Sequence, residues 1–382
     1  MIMQGALKGC LVLDLSRLLP GPYCSMILAD HGARVIAVED RRFEKEALPT
    51  LTHINRNKEH VTLNLKTEKG KEIFNTLAAK ADVILEGFRP GVTDRLGVGY
   101  ASVKKINPRI IYCSITGFGQ TGPFKDQAGH DVNFQGLGGA LSMIGPKSGA
   151  PCIPGVPLGD VGGGLNAAVG ILLAMYAREK TGQGQYIDIS MTDAVTSLLP
   201  IAAGWNWMFG QSPERGNFTL AHRYACYNLY ETADGKYMAV GALEARFWKT
   251  ICDYFEKPEY APLQYDEDRR EEIKDFIAGK FKEKTRDQWM AVFSEMDACV
   301  SGILDMDEAL SGENARDRQT VETVTDANGN TIKGLGIPVK LDQTPGSVRT
   351  APPAFGENTA SVLRELGYND QEIADFVEQG IV

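Results

Sequence analysis

The chain is poor in histidine, five in 382 residues, and no histidine and cysteine stand together at metal-ligand spacing. Its seven cysteines are odd in number and scattered, with no CxxC pair. They read as reduced thiols, and no structural metal is expected. Basic charge is not in excess: forty Lys and Arg face forty-nine Asp and Glu, a net charge of −9. That balance disfavours nucleic acid or an anionic membrane as partner and leaves room for a local basic pocket around a phosphorylated small molecule. The opening residues, MIMQGALKG, carry no apolar core of signal-peptide length, and no stretch reads as a membrane span of roughly 18 apolar residues. A soluble, cytoplasmic chain is the expectation. A glycine cradle for a pyrophosphate is missing too, because the first strand-to-helix turn carries Pro20-Gly21-Pro22 and not GxGxxG. That argues against a NAD enzyme.

What is present is alternation. CLVLDLS (Cys10 to Ser16) has the texture of a buried strand, YCSMILADHG that of a helix stopped by Gly32, and ARVIAVE that of a second strand. The pattern continues through helix TEKGKEIFNTLAAKA, strand DVILE, the RPGV turn and strand RIIYCSITG. It ends with the long helix GGGLNAAVGILLAMYARE and strand GQYIDISM. Such alternation predicts an α/β fold, a Rossmann-like large domain with a mostly parallel sheet covered on both faces. After about residue 225 the texture changes. CYNLYETADGKYMAVGA reads as a hairpin turning at Asp234-Gly235, followed by charged helical segments (Glu271 to Lys284, Arg286 to Glu295). The predicted organisation is a large α/β domain over 1–205 and a smaller α+β domain over 225–330. A segment over 331–382 carries its own helix, TASVLRELGYNDQEIADFVEQG.

Four places could carry chemistry. In QAGHDVNFQGLGG, His130 and Asp131 stand in a glycine-bracketed loop. A lone loop histidine is ordinarily structural, yet histidine is also the side chain best suited to acid–base work near neutrality. In PLGDVGGGLN, Asp160 precedes three glycines and a long helix, so it reads as a helix cap or as a site where a ligand meets free backbone N–H groups. Glu244 follows a predicted strand in VGALEARFW. Basic residues stand near strand ends, where α/β sheets bind ligands: Arg41 and Arg42, Arg56 and Lys58, Arg89 and Arg95.

Nine segments, in this order, carry a resemblance: PGPYCSMILADHGARVI, LEGFRPGVTDRLGVGY, NPRIIYCSITGFGQTGPF, AGHDVNF, LGDVGGG, TGQGQYIDISM, ADGKYMAVGALEARFW, MDACVSGIL and PAFGENTASVLRELGY. Together they resemble the family III CoA-transferase (CaiB/BaiF-type) superfamily over nearly the whole chain. The histidine of AGHD and the glutamate of GALE are similar to its α-methylacyl-CoA racemase branch. The resemblance implies that His130 and Asp160 exchange protons with the α-carbon of a 2-methylacyl-CoA on its two faces, and that Glu244 partners His130. Enolate donors would be the backbone N–H groups beside Asp160 and Gly162. It further implies a CoA site at Arg41, Leu63, Gly87, Phe88, Arg89, Pro90, Gly91 and Arg95. Gly129 to Phe134, Asp131 included, would line the thioester end, with Asp131 also holding the loop. The sequence reads VEDRRF after the second strand, where the racemases commonly carry Asp-Arg-Pro, so Arg41 and Arg42 both stand as candidates. Coenzyme A would enter as part of the substrate, with no prosthetic group. The family fold implies a homodimer of mutually threaded subunits, Glu244 reaching His130 from the second chain. The alternative is a CoA-transferase in which Asp160 attacks the thioester and passes through a mixed anhydride.

Overall fold

The computed structural model describes residues 5–46, 48–326 and 328–382, which form two compact units. The larger takes the chain up to 140, 155–198 and 313–382; the smaller takes 141–154 and 199–312.

In the larger unit, β1 (Leu11–Asp14), β2 (Arg34–Glu39), β3 (Lys58–Thr62), β4 (Val83–Glu86), β5 (Ile111–Thr116) and β6 (Tyr186–Ser190) form one sheet. Its order is β3-β2-β1-β4-β5-β6, and every neighbouring pair is parallel. All four residues of β4 and all six of β5 are buried, as strands covered on both faces must be. Interleaved in the chain are α1 (Pro20–Asp30), α2 (Glu68–Ala78), α3 (Val92–Leu96), α4 (Tyr100–Ile106), α5 (Asp131–Leu137), α6 (Ala140–Met143), α7 (Leu158–Thr181) and α8 (Met191–Ser197). The order in which strands are added reverses between β1 and β4. The crevice beyond the carboxyl ends of those two strands is where open α/β sheets hold ligands.

Helix α7 corrects one expectation. By length and composition it is apolar enough to cross a membrane, but 44% of its most apolar window is buried inside the chain. The buried stripe is small: a Cβ on Gly164 would stand 2.6 Å from the Pro20 carbonyl oxygen, and one on Gly163 would stand 2.7 Å from Met191 Cγ. The glycine run therefore lets α7 lie close against α1 and α8.

The smaller unit holds α9 (Pro200–Phe209), β7 (Tyr227–Glu231), β8 (Tyr237–Gly241), α10 (Ala245–Tyr254), α11 (Arg270–Phe281), α12 (Arg286–Ser294), β9 (Val300–Gly302) and α13 (Met306–Ser311). Its sheet, β7-β8-β9, is antiparallel and includes the expected hairpin. Its aromatic core centres on Trp248 and Trp289, whose indole N–H groups donate to the carbonyls of Tyr260 (3.0 Å) and Phe281 (2.7 Å).

The boundaries differ from those read in the sequence. The smaller unit ends at 312, so α14 (Glu313–Asp317) and the hairpin of β10 (Val321–Thr325) and β11 (Thr331–Leu335) belong to the larger one. Arg56 holds that hairpin by donating to the Leu335 carbonyl. Residues 141–154 join the smaller unit, where Arg215 donates to the carbonyls of Pro146 (3.3 Å) and Gly149 (2.5 Å). The last segment, read as one helix, is two: α15 (Thr359–Glu365) and α16 (Asp370–Glu378). Gly367, at φ 97°, breaks them, and Asn369 caps the second.

Arg56 and Asn57 tie this returning segment down. Asn57 Nδ2 donates to Asp30 Oδ1 (2.7 Å) and Ser347 O (2.9 Å), while its Oδ1 accepts from the amides of Arg349 (2.6 Å) and Thr350 (3.0 Å). Every hydrogen-bonding position of that amide is filled. Beside it Arg56 and Asp30, each 3% exposed, form a two-pronged ion pair. Breaking a buried pair strands a charge, so Arg56→Ala should cost about 3–5 kcal/mol in urea unfolding. The double change with Asp30→Ala should cost less than the sum of the two single changes. Strict additivity would show the pair to be uncoupled.

Candidate active site

The crevice at the switch point holds a cavity of about 340 Å³, within the usual range for small-molecule sites. Three strand ends build it. After β1 come Ser16, Arg17, Leu18, Pro20 and Gly21; after β4, Gly87 to Pro90; after β5, Thr116 to Phe118. Lys125, Gly129, His130, Phe134, Asp160 and Met191 complete the wall. Its charged side chains are Arg17, Arg89 and Lys125 against the single carboxylate of Asp160. Arg17 is already paired with Glu39 and Glu46, so Arg89 and Lys125 are the cations here that would favour an anionic ligand.

The Pro-Gly-Pro turn now has a reason. Asp14 Oδ1 accepts both the amide (2.9 Å) and the hydroxyl of Ser16, and its Oδ2 accepts from Ser25. Beneath it the buried Lys58 ammonium donates to Pro22 O (2.9 Å) and Asn55 Oδ1 (3.1 Å). Burial pushes that ammonium down to about 8, against the pull of Asp14. A Cβ at position 21 would meet Ser16 Oγ at 1.9 Å, so only glycine lets the helix start fold back over the serine.

His130 stands at the start of α5. Its amide donates to Asn133 Oδ1 (3.0 Å), and its carbonyl accepts from the amide of Asn133 (2.8 Å), which fixes the backbone that carries the ring. Gly129 must be glycine because the Phe134 ring lies 2.7 Å from where its Cβ would be. Asp131 turns away from the cavity. Its Oδ1 accepts from the amides of Gly159 (2.7 Å) and Asp160 (3.2 Å), and its Oδ2 accepts from Gln135. It thus caps α7 from another loop and satisfies two of the amides that a helix start leaves bare.

Asp160, in the first turn of α7, is half-buried, and its carboxyl is raised to about 6. Burial is the main cause, the Asp131 charge adds to it, and His130 opposes. A group so placed exchanges protons near neutral pH, and it shares the cavity with a histidine. The backbone donors expected for an enolate are not there. Asp160 N is taken by Asp131, Val161 N bonds to Pro157 O (3.0 Å), and Gly162 lies inside the helical ladder.

The remaining expected residues are dispersed. Gly87, Phe88, Arg89, Pro90 and Gly129 line the cavity. Gly91, at φ 76°, opens α3, and the exposed Arg95 lies on that helix, so neither lines the hollow. Leu63 is 1% exposed in the core and presents no side chain to a ligand. Arg41 is exposed at the start of a 3₁₀ turn (Arg41–Glu46) after β2, and Arg42 beside it pairs with Asp40 (3.4 Å). Glu244 belongs to the smaller unit; it is exposed, and its carbonyl accepts the first amides of α10. Sequence reasoning passed over Ser16, Arg17 and Lys125. The signals were a basic residue directly after the first strand and the lysine of GPFKD in the loop before His130. Among the described residues no group of His, Cys, Asp and Glu could hold a metal ion.

A parallel sheet in this order, with a cavity at its switch point that holds a histidine and a raised carboxyl, defines an α/β protein with a candidate active site there. The chain belongs to CoA-transferase family III, whose model matches residues 7–359. It is 35% identical to a human alpha-methylacyl-CoA racemase over 99% of this chain and 97% of that protein. It is 32% identical to a human succinyl-CoA:glutarate CoA-transferase over 98% and 90%. A CaiB/BaiF family protein from Brucella suis has a similar structure, with a TM-score of 0.83 at 28% identity over 95% of this chain and all of that one.

The clamp on α7 is testable without substrate. Asp131→Asn keeps an acceptor for Gly159 and Asp160 but removes the charge that raises Asp160. Titration of the Asp160 carboxyl, followed by carbon-13 NMR, should then shift below about 6. An unchanged midpoint would mean that burial alone sets it.

Proposed function

We propose that the protein racemises or epimerises 2-methylacyl-CoA thioesters by proton transfer at the α-carbon. The observation that carries this is one cavity holding both His130 and a carboxylate, Asp160, raised to about 6. One of the two removes the α-proton, leaving an enolate conjugated to the thioester. The other returns a proton to the opposite face. No bond to carbon other than C–H is made or broken, and no redox partner is needed. Arg89 and Lys125 give the CoA phosphates cationic partners. A second hollow of about 110 Å³ shares Ser16, Arg17 and Leu18 and runs toward Glu39 and His60.

A homodimer completes the reading. Leu173 on α7 (64% exposed) and Trp207 on α9 (82%) are large apolar side chains left open in a single chain, as surfaces buried by a second copy would be. In such a dimer Glu244 of the partner subunit pairs with His130, orienting the ring and stabilising its protonated form. All seven cysteines are free thiols, which suits the cytoplasmic setting expected from the sequence.

The test is α-deuterium uptake and loss of chirality when a 2-methylacyl-CoA is incubated in deuterium oxide. His130→Ala and Asp160→Asn should each slow exchange by about 10²–10⁴-fold while leaving CoA affinity nearly intact. In the direction where Asp160 is the base, kcat/KM should rise as pH passes about 6, because the raised carboxyl must first ionise. Wild-type exchange in His130→Ala would end the assignment. A stoichiometric covalent adduct on Asp160, formed from acyl-CoA and passed to a free acid, would make the protein a CoA-transferase instead.

The dimer has its own test. Mixed dimers of His130→Ala and Glu244→Gln chains should regain exchange activity that neither homodimer has, because one of the two sites is then intact. No recovery would place all three groups in sites built by one chain.

A further inference from the structure

The end of β4 carries a group that the proton transfer does not use. Glu86 is 2% exposed, directly below the cavity, and its Oε2 accepts the amide of Phe88 at 2.7 Å. Ser114 on β5 is its side-chain partner. The Tyr186 hydroxyl from β6 donates to Ser114 Oγ (2.9 Å). The charged groups acting on Glu86 are Asp94 of α3 and Asp188 of β6, both acidic. Burial, with those two charges adding to it, raises its carboxyl to about 7. A buried acid that accepts one backbone amide among like-charged neighbours is costly, and such a group persists where it builds something. What it builds is the turn Gly87 to Pro90. That turn contributes four residues to the cavity, Arg89 among them, and packs against the β1–α1 turn, where a Cβ on Gly87 would lie 3.6 Å from Ser16 Cβ.

We infer that Glu86 is a positioning residue for acyl-CoA: it holds the Phe88 amide, thereby fixes the turn that forms one wall of the cavity, and so sets affinity without entering the chemistry. The inference rests on the acyl-CoA reading above but not on racemisation. Calorimetric CoA binding and α-proton exchange are measured on the full-length chain carrying Glu86→Ala or Glu86→Gln. Losing the acceptor of this half-buried amide loosens the turn, so Glu86→Ala should raise both the Kd for CoA and the KM for a 2-methylacyl-CoA about tenfold, with kcat within about twofold. Glu86→Gln, whose side-chain carbonyl still accepts from Phe88, should bring both back to within about twofold of wild type. Should Glu86→Ala fail to fold, Glu86→Met, which keeps the side-chain volume but offers Phe88 no oxygen, carries the same expectation. Unchanged Kd and KM in a less stable variant would show Glu86 to be a fold residue only and overturn the inference, as would a loss of kcat at constant KM. If the wild type binds CoA but exchanges no α-proton, the racemase reading falls while this one stands. If it binds no CoA, both fall.

Discussion

The candidate site depends on one carboxylate that does no chemistry. Asp131 reaches from the start of α5 to the amides of Gly159 and Asp160. The two residues proposed to exchange protons are thirty positions apart in sequence, and each is an immediate neighbour of an end of this clamp. His130 precedes Asp131, and Asp160 is one of the residues held. The clamp also acts through charge. A helix start favours an ionised acid, and Asp160 sits in the first turn of a 24-residue helix. Placing a second carboxylate on the same amides uses up that favour and adds repulsion. The group that keeps the two loops together thus also keeps Asp160 from becoming an ordinary ionised acid.

Much of the larger unit was legible because its signals are local. Short apolar runs alternating with helical periods predict parallel strands, and the sheet is parallel in all its pairings. Where local signals are weak, reading failed. β3 (KEHVT) has a single apolar residue, Val61, because Lys58 and His60 are engaged by groups distant in sequence, so its apolar pattern does not mark it as a strand. The β10–β11 hairpin carries a readable Asn328-Gly329, yet its place in the larger unit depends on Arg56, which no local pattern reveals. The last helix broke in two at Gly367, a punctuation present in the sequence and outweighed there by the apolar periodicity around it.

At the site, residue types were easier to read than geometry. His130 and Asp160 were singled out by chemistry and share one cavity. The glycines after Asp160 were read as an opening for ligand, whereas Gly163 and Gly164 serve the approach of helices. Leu63 is a core residue, since matching a motif does not say which way a side chain points. Arg17 and Lys125 went unnoticed because surface charge is the default for a basic residue. Only the folded arrangement shows them converging on one hollow.

The raised Asp160 also bears on which chemistry the cavity suits. A nucleophilic carboxylate works as the anion, so a site built for attack on a thioester would gain from holding the acid well ionised. A proton shuttle has to spend time in both forms, and its rate is best when its pKa lies near ambient pH. Burial and Asp131 move Asp160 toward the second requirement, and His130 opposes only in part. A transferase has no need of a titratable partner across the cavity, while racemisation needs two groups of similar basicity, because each must act as acid for the other's product. A carboxylate ordinarily titrates well below neutrality, and this fold lifts Asp160 out of that range.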